Sequence, residues 1–325
     1  MSRAGTVWLI VAIVVVVVAA IVFLVGMSAA GWDFRYFGTG AYEMRTHATD
    51  APFQGVSLET DAVVILPATD GVAKVVAPEG DNFGYAVSVE DGVLTVKKSD
   101  SRSWILRIFD FGGREPVQVY LPAGEYGALA VRARTGDVSI GEGLTFASLT
   151  VDATTADIAL SANVAGDAVL SLTTGDVAVR GCTLASLSVS VTTGDIAADS
   201  LTVAGDILLK TDTGDVEMVA VRCVSLTLDG TTGDAALSDV IAEGTMTVER
   251  TTGDILLSGA DAAEMTIKST TGDVRGTILT DKVFFAHATT GDVRVPEGTM
   301  GGACRVNTTT GDILLSIGRG DGRGL

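Results

Sequence analysis

Ten aspartates recur 19 or 20 residues apart: Asp137, Asp157, Asp176, Asp195, Asp215, Asp234, Asp254, Asp273, Asp292 and Asp312. Carboxylates in such a row could hold a hard cation such as calcium, or act as acid and base where two of them meet in a groove. Set about 5 Å apart, neighbouring charges repel by roughly 1 kcal/mol even at the dielectric of water, so something must offset the row. In the structural reading each carboxylate accepts backbone N–H bonds at its own corner, as an Asx turn does. In the metal reading the row is a calcium-binding edge. Most repeats, however, lack the second carboxylate that would complete such a site, and the pattern is not that of calcium-binding nonapeptide repeats. Catalysis fits poorly, because glycan cleavage needs a carboxylate pair at one unique place and these acids repeat identically. His47 and His287 are the only histidines and lie far apart in the chain. Cys182, Cys223 and Cys304 form no CxxC pair and are expected as buried thiols. No catalytic, cofactor-binding or metal-ligating residue is assigned, and an enzyme is not expected.

The aspartates close a tetrapeptide, TTGD or a close variant, which reads as a structural corner. Its members are Thr135, Gly136 and Asp137; Thr174, Gly175 and Asp176; Thr193, Gly194 and Asp195; Thr213, Gly214 and Asp215; Thr232, Gly233 and Asp234. They continue with Thr252, Gly253 and Asp254; Thr271, Gly272 and Asp273; Thr290, Gly291 and Asp292; Thr310, Gly311 and Asp312, while Thr155, Ala156 and Asp157 form the one copy without glycine. Glycine there implies a backbone angle or a close approach that a side chain disfavours. The threonine shares parity with the apolar positions, so a stacked inward ladder of hydroxyls is expected, each bonded to a neighbouring coil or to the corner backbone.

The elements that position these corners follow from hydrophobic spacing. Seven and five residues before the glycine the chain is mostly apolar, as at Leu187 and Val189, Leu226 and Leu228, or Met265 and Ile267. Two and four residues after it the chain is apolar again, as at Val177 and Val179 or Ile255 and Leu257. Period two on both sides of a bend makes each repeat a strand, a corner, a second strand and a variable return. Such a unit cannot bury its apolar face alone but can stack on copies of itself. The fold class is therefore all-β: a β-solenoid, or parallel β-helix, of about ten coils, right-handed by the rule for parallel crossovers, and roughly 45–50 Å long. The last coil, ending at Ile313, Leu315 and Ile317, is expected at an open end, giving weak end-to-end self-association.

Ahead of the repeats, 56–67 reads as a degenerate first coil, 85–98 as a hairpin about Glu90, Asp91 and Gly92, and the apolar run 104–111 as a cap over the first coil. Residues 7–27 carry no charge over a bilayer length and follow Arg3, so one N-terminal transmembrane helix is expected, with everything after it outside. A cleaved signal peptide is the rival reading. The expected organisation is a cytoplasmic stub 1–6, a transmembrane helix 7–27, a juxtamembrane linker 28–50, a β-rich cap and first coils 51–128, the solenoid 129–318, and a Gly/Arg tail 319–325 containing Arg319, Gly320 and Asp321. With 22 Lys and Arg against 40 Asp and Glu, a formal charge of −18 excludes a nucleic-acid partner.

Over approximately residues 45–318 the chain resembles the DUF4097 family of β-strand repeat proteins, the adhesin-type repeats of bacterial envelopes. The likeness rests on TDAVVILPATDG, VEDGVLTV, the serial TTGD corners, and the run from DAAEMTIKSTTGD to NTTTGDILLSI. The resemblance implies a membrane-anchored, extracytoplasmic interaction or structural module with an envelope protein or cell-wall polymer as partner. It brings no catalytic residues with it. Some anchored relatives are associated with envelope-stress operons, which implies the alternative of a regulatory or sensory component.

Overall fold

The computed structural model describes residues 42–80, 83–100, 115–298 and 300–318, together with Val25 and Ser28. The proposed transmembrane segment (Val25 apart), the run 104–111 and the tail 319–325 lie outside them. Among the described residues no helix is long and apolar enough to cross a membrane.

The described chain winds as an all-β solenoid with three faces. Strands entering the corner, such as Asp206–Thr213 and Ser225–Thr232, stack in parallel on one face, and strands leaving it, such as Val216–Cys223, on the next. Around Gly214 the inward positions are Ile207, Leu209, Thr211, Val216 and Met218, each at most 1% exposed. Fully burying a side chain of this kind contributes about 1.5–3 kcal/mol, and stacking repeats the gain at every coil. The third face adds two interior columns, one through Leu144, Ala162, Cys182, Leu201 and Val221, the other through Phe146, Val164, Leu184, Val203 and Cys223. Between the second and third faces lies another corner. Its left-handed residue varies from coil to coil: Gly181 (φ 63°), Ser200 (57°), Ala220 (53°), Asp239 (54°) and Gly259 (68°).

Register is reinforced by charge. Four residues before the corner glycine, an outward column runs Lys97, Glu59, Arg132 and Asp152, and further along the rod Lys210, Asp229, Glu249 and Lys268. The first four alternate strictly in sign, and Lys268 donates to Glu249 at 2.6 Å. Opposite charges directly across a strand pair favour that pairing, which helps distinguish coils that are otherwise nearly equivalent.

Coils do not stack in chain order at either end. The strand Gly55–Thr60 lies between Val93–Asp100 and Glu125–Thr135, so the second coil in sequence is the outermost in space. Val117–Leu121 completes that outer coil beside Val63–Pro67. At the other end Ala303–Thr310 lies between Ile255–Thr271 and Val283–Thr290. The expectation that the coil ending at Ile317 forms the rod's end is therefore corrected: the coil 283–294 is outermost. The crossing is held by a buried ion pair. Lys282 (3% exposed) and Asp261 (7%) meet at 2.6 Å, and Asp261 Oδ1 also accepts from the Ala262 N–H (2.9 Å) and the Thr280 hydroxyl (3.1 Å).

The two ends are finished differently. At the N-terminal end, Phe83–Glu90 pairs antiparallel with Val93–Asp100 through the expected hairpin, whose turn residues Asp91 (φ 51°) and Gly92 (φ 74°) suit a type I′ turn. Ala73–Glu79 pairs antiparallel with both Val117–Leu121 and Glu43–Thr49. The last of these is a strand inside the stretch read as linker, tied down where Glu79 accepts from His47 (2.6 Å) and Arg45 (3.4 Å). At the opposite end the described strands carry no such cover.

Candidate functional site

The ten corners form one ridge along the rod, with aspartates and threonines in columns. The threonine before each glycine is in register from Thr135 through Thr155, Thr174, Thr193, Thr213, Thr232, Thr252 and Thr271 to Thr310 and finally Thr290. All ten are exposed, which corrects the expected inward ladder. Alternation ends at the position three before the glycine. The next two residues both point outward as the chain swings through the corner, so most coils present a pair of threonines.

Inward hydroxyls stand at that third position instead. Thr211, Ser269 and Thr308 donate to the glycine carbonyls of the preceding coils, at Gly194 (3.3 Å), Gly253 (3.3 Å) and Gly272 (3.1 Å). Arg250 occupies the same position at 3% exposure. Its guanidinium fits because its in-register neighbour is Gly230; a Cβ there would overlap Arg250 Nη1. Arg250 donates to Gly214 O (3.4 Å) and Asp234 O (3.1 Å), while Nε finds no partner. Burial holds its pKa below the ordinary value, against the opposing pull of Asp215, Asp234 and Asp229.

The aspartates work between coils, not within their own corner. Asp137 Oδ1 accepts the Asp157 N–H (3.0 Å), Asp157 that of Asp176 (2.9 Å), and the pattern continues through Asp195, Asp215, Asp234, Asp254 and Asp273. It ends with Asp273 accepting from Asp312 (2.7 Å) and Asp312 from Asp292 (2.9 Å), which repeats the altered coil order. The cause lies in the strand geometry. Successive N–H groups of the corner face opposite ways along the rod: those of Gly233 and Ala235 meet carbonyls of the next coil, whereas that of Asp234 faces the coil before and is met by its carboxylate. Charge-assisted bonds of this kind offset repulsion along the row. Cations help locally: Arg250 from inside, Arg275 beside Asp273 (2.5 Å) and Asp312 (3.8 Å), and Arg294 beside Asp292 (3.6 Å).

Glycine is required twice over at these corners. Gly233 has φ +125°, and a Cβ there would overlap the carbonyl oxygen of Gly214. Ala156 escapes because its φ is not in the left-handed region.

Among the described residues no three His, Cys, Asp or Glu side chains cluster as a metal site. Because one oxygen of every corner carboxylate except that of Asp292 is already engaged by backbone, melting of the full chain is expected to be the same, within about 1 °C, in calcium and in chelator. A drop of several degrees with chelator would return calcium to the row. The three cysteines are free and buried, and burial pushes each thiol up to about 11. They are apolar core fillers, as expected. His47 sits in the N-terminal cover and His287 in the outermost coil of the far end, so the fold does not bring them together. An indentation lies where the first coil's corner, Asp61–Ala62, is two residues shorter than its neighbour's; Lys98, Arg132, Arg134, Asp100 and Asp152 line it.

The profile of a family described as Toastrack DUF4097 matches residues 56–238 and 204–321. No curated protein matches the chain. Among solved structures, a candidate adhesin from Bacteroides fragilis NCTC 9343 aligns over 84% of this chain and 97% of its own, at 14% identity and a TM-score of 0.37. A candidate cell adhesion protein from Clostridium sporogenes ATCC 15579 aligns over 85% of this chain and 100% of its own, at 9% identity and a TM-score of 0.16.

Proposed function

Because the chain belongs to the Toastrack DUF4097 family, we propose that it is a non-catalytic, adhesin-like display rod of the cell envelope, anchored by residues 7–27 with the solenoid outside. One observation carries the reading: the exposed threonine column and the aspartates beside it repeat in register at every corner, so the same pair of groups recurs all along the ridge. A repeating surface suits a repeating ligand. Hydroxyl columns beside carboxylates favour a neutral or amino-bearing polysaccharide, whereas acidic polymers meet a chain of charge −18. Many weak contacts at fixed spacing then add by avidity. The anchor rests on the uncharged length of residues 7–27 and on Arg3 before it.

The test is retention of purified neutral cell-wall glycan on the full chain held in lipid nanodiscs. Replacing Thr193, Thr213 and Thr232 together by Ala, which removes three hydroxyls without adding charge, is expected to cut retention at least about tenfold while leaving melting nearly unchanged. No retention by the wild type, equal retention by the variant, or release of new reducing ends from the glycan would each overturn the reading.

A further inference from the structure

The far end of the rod leaves a strand edge open. Among the described residues Val283–Thr290 pairs only with Ala303–Thr310, and Val293–Arg294 only with Ile313–Ile317. Phe285 is 56% exposed and Val293 41%, while Phe284, Ala286 and Ala288 are only half-covered above the core. The strand reads VFFAHATT, without an acid, a lysine or an arginine. Natural edges are usually blunted by charge, proline or a cover; this strand has no acid, lysine, arginine or proline, and among the described residues nothing covers its outer edge.

We infer that this edge is the interface of a two-fold dimer, in which two copies join C-terminal end to C-terminal end with their 283–290 strands antiparallel. Three features select a second copy in this arrangement. The outer strands of the opposite end are Phe83–Glu90, which ends in Glu90, and Glu43–Thr49, which carries Glu43, Arg45 and His47, so neither matches Val283–Thr290 in lacking acids, lysine and arginine, and head-to-tail contact sets that strand against charge. Contact along the flanks would bring two chains of charge −18 side by side over their length, whereas end-on contact uses the strand that lacks carboxylates. An isologous contact consumes the edge on both partners and stops at two. The antiparallel pair spans about 27 Å and continues the sheet across the junction.

Sedimentation of the full chain in detergent, from about 1 to 100 µM, provides the test. The wild type is expected to double in mass and to stop there. Phe285→Glu should remain a monomer with unchanged melting, because Phe285 is exposed and stands in register with Arg305, which receives the new charge within its own copy. Val293→Glu, at the same open end, is expected to behave alike. A wild type that stays monomeric throughout, a mass that climbs past two, or a Phe285→Glu variant that still dimerises, as through another part of the chain, would each overturn the inference.

Discussion

Gly233→Val is expected to destabilise the rod by more than about 4 kcal/mol and to break its cooperativity in the middle. Two independent costs combine. A β-branched residue at φ +125° costs about 1–3 kcal/mol in backbone strain alone. The new side chain would also occupy the space of the Gly214 carbonyl, which is backbone and cannot move without separating the coils. Separation would strain three bonds that hold this rung: Gly214 N–H to Thr232 O (2.9 Å), Val216 N–H to Asp234 O (2.9 Å) and Asp234 N–H to Asp215 Oδ1 (2.7 Å). In a quasi-one-dimensional fold such damage divides the molecule, so hydrogen exchange should accelerate in the neighbouring coils before the distant ones. The contrast is Asp234→Asn, where the amide oxygen still accepts the Asp254 N–H and the loss is about 1 kcal/mol or less. Equal melting of the valine variant and the wild type would show that the corner does not need glycine.

Lys282→Met should cost about 3–5 kcal/mol, because it leaves Asp261 buried and ionised without its counter-ion. The loss is expected to localise to the end of the rod, where exchange in 283–294 should rise first. Adding Asp261→Asn should recover most of it. The neutral amide keeps an acceptor for the Ala262 N–H and Thr280 hydroxyl, and no unpaired charge remains. Urea unfolding of the single and double variants measures the coupling. If Lys282→Met alone unfolds like the wild type, the pair is not what holds the crossing.

The solenoid is legible because its core positions recur with fixed chemistry: Val, Ile, Leu or Met seven and five residues before the glycine and two and four after it. What could not be read lies where chemistry varies or parity slips. Counting by twos from Leu226 and Leu228 carries the pattern on to Thr232, but the inward–outward alternation ends at Gly230, and Thr231 and Thr232 both face outward. The interior third position escaped notice because it holds Ala133, Leu172, Thr211, Gly230, Arg250 and Ser269 in turn. A signal was nevertheless present, since an arginine at an inward position with a glycine at the same place one repeat earlier marks a shared volume. The second corner has no fixed residue and hence no periodic mark. Coil order at the ends was hidden for another reason. Successive repeats there are nearly interchangeable in pattern, and the choice rests on particulars such as the Lys282–Asp261 pair and Gly302, whose α-carbon lies against the Ala263 carbonyl.

The inverted order at the far end also bears on the timing of synthesis. The segment 283–294 leaves the ribosome before 303–317, yet its place in the stack exists only once the later segment has docked on 264–278. Until then the exposed edge of that coil is open to the earlier arrival, whose first strand and corner match those of the later one in length. Vectorial growth, which serves the middle of the rod by adding each turn to a finished template, is therefore suspended over the final stretch. There the nascent chain must hold one turn in reserve, and completion of the rod is decided by residues made after it.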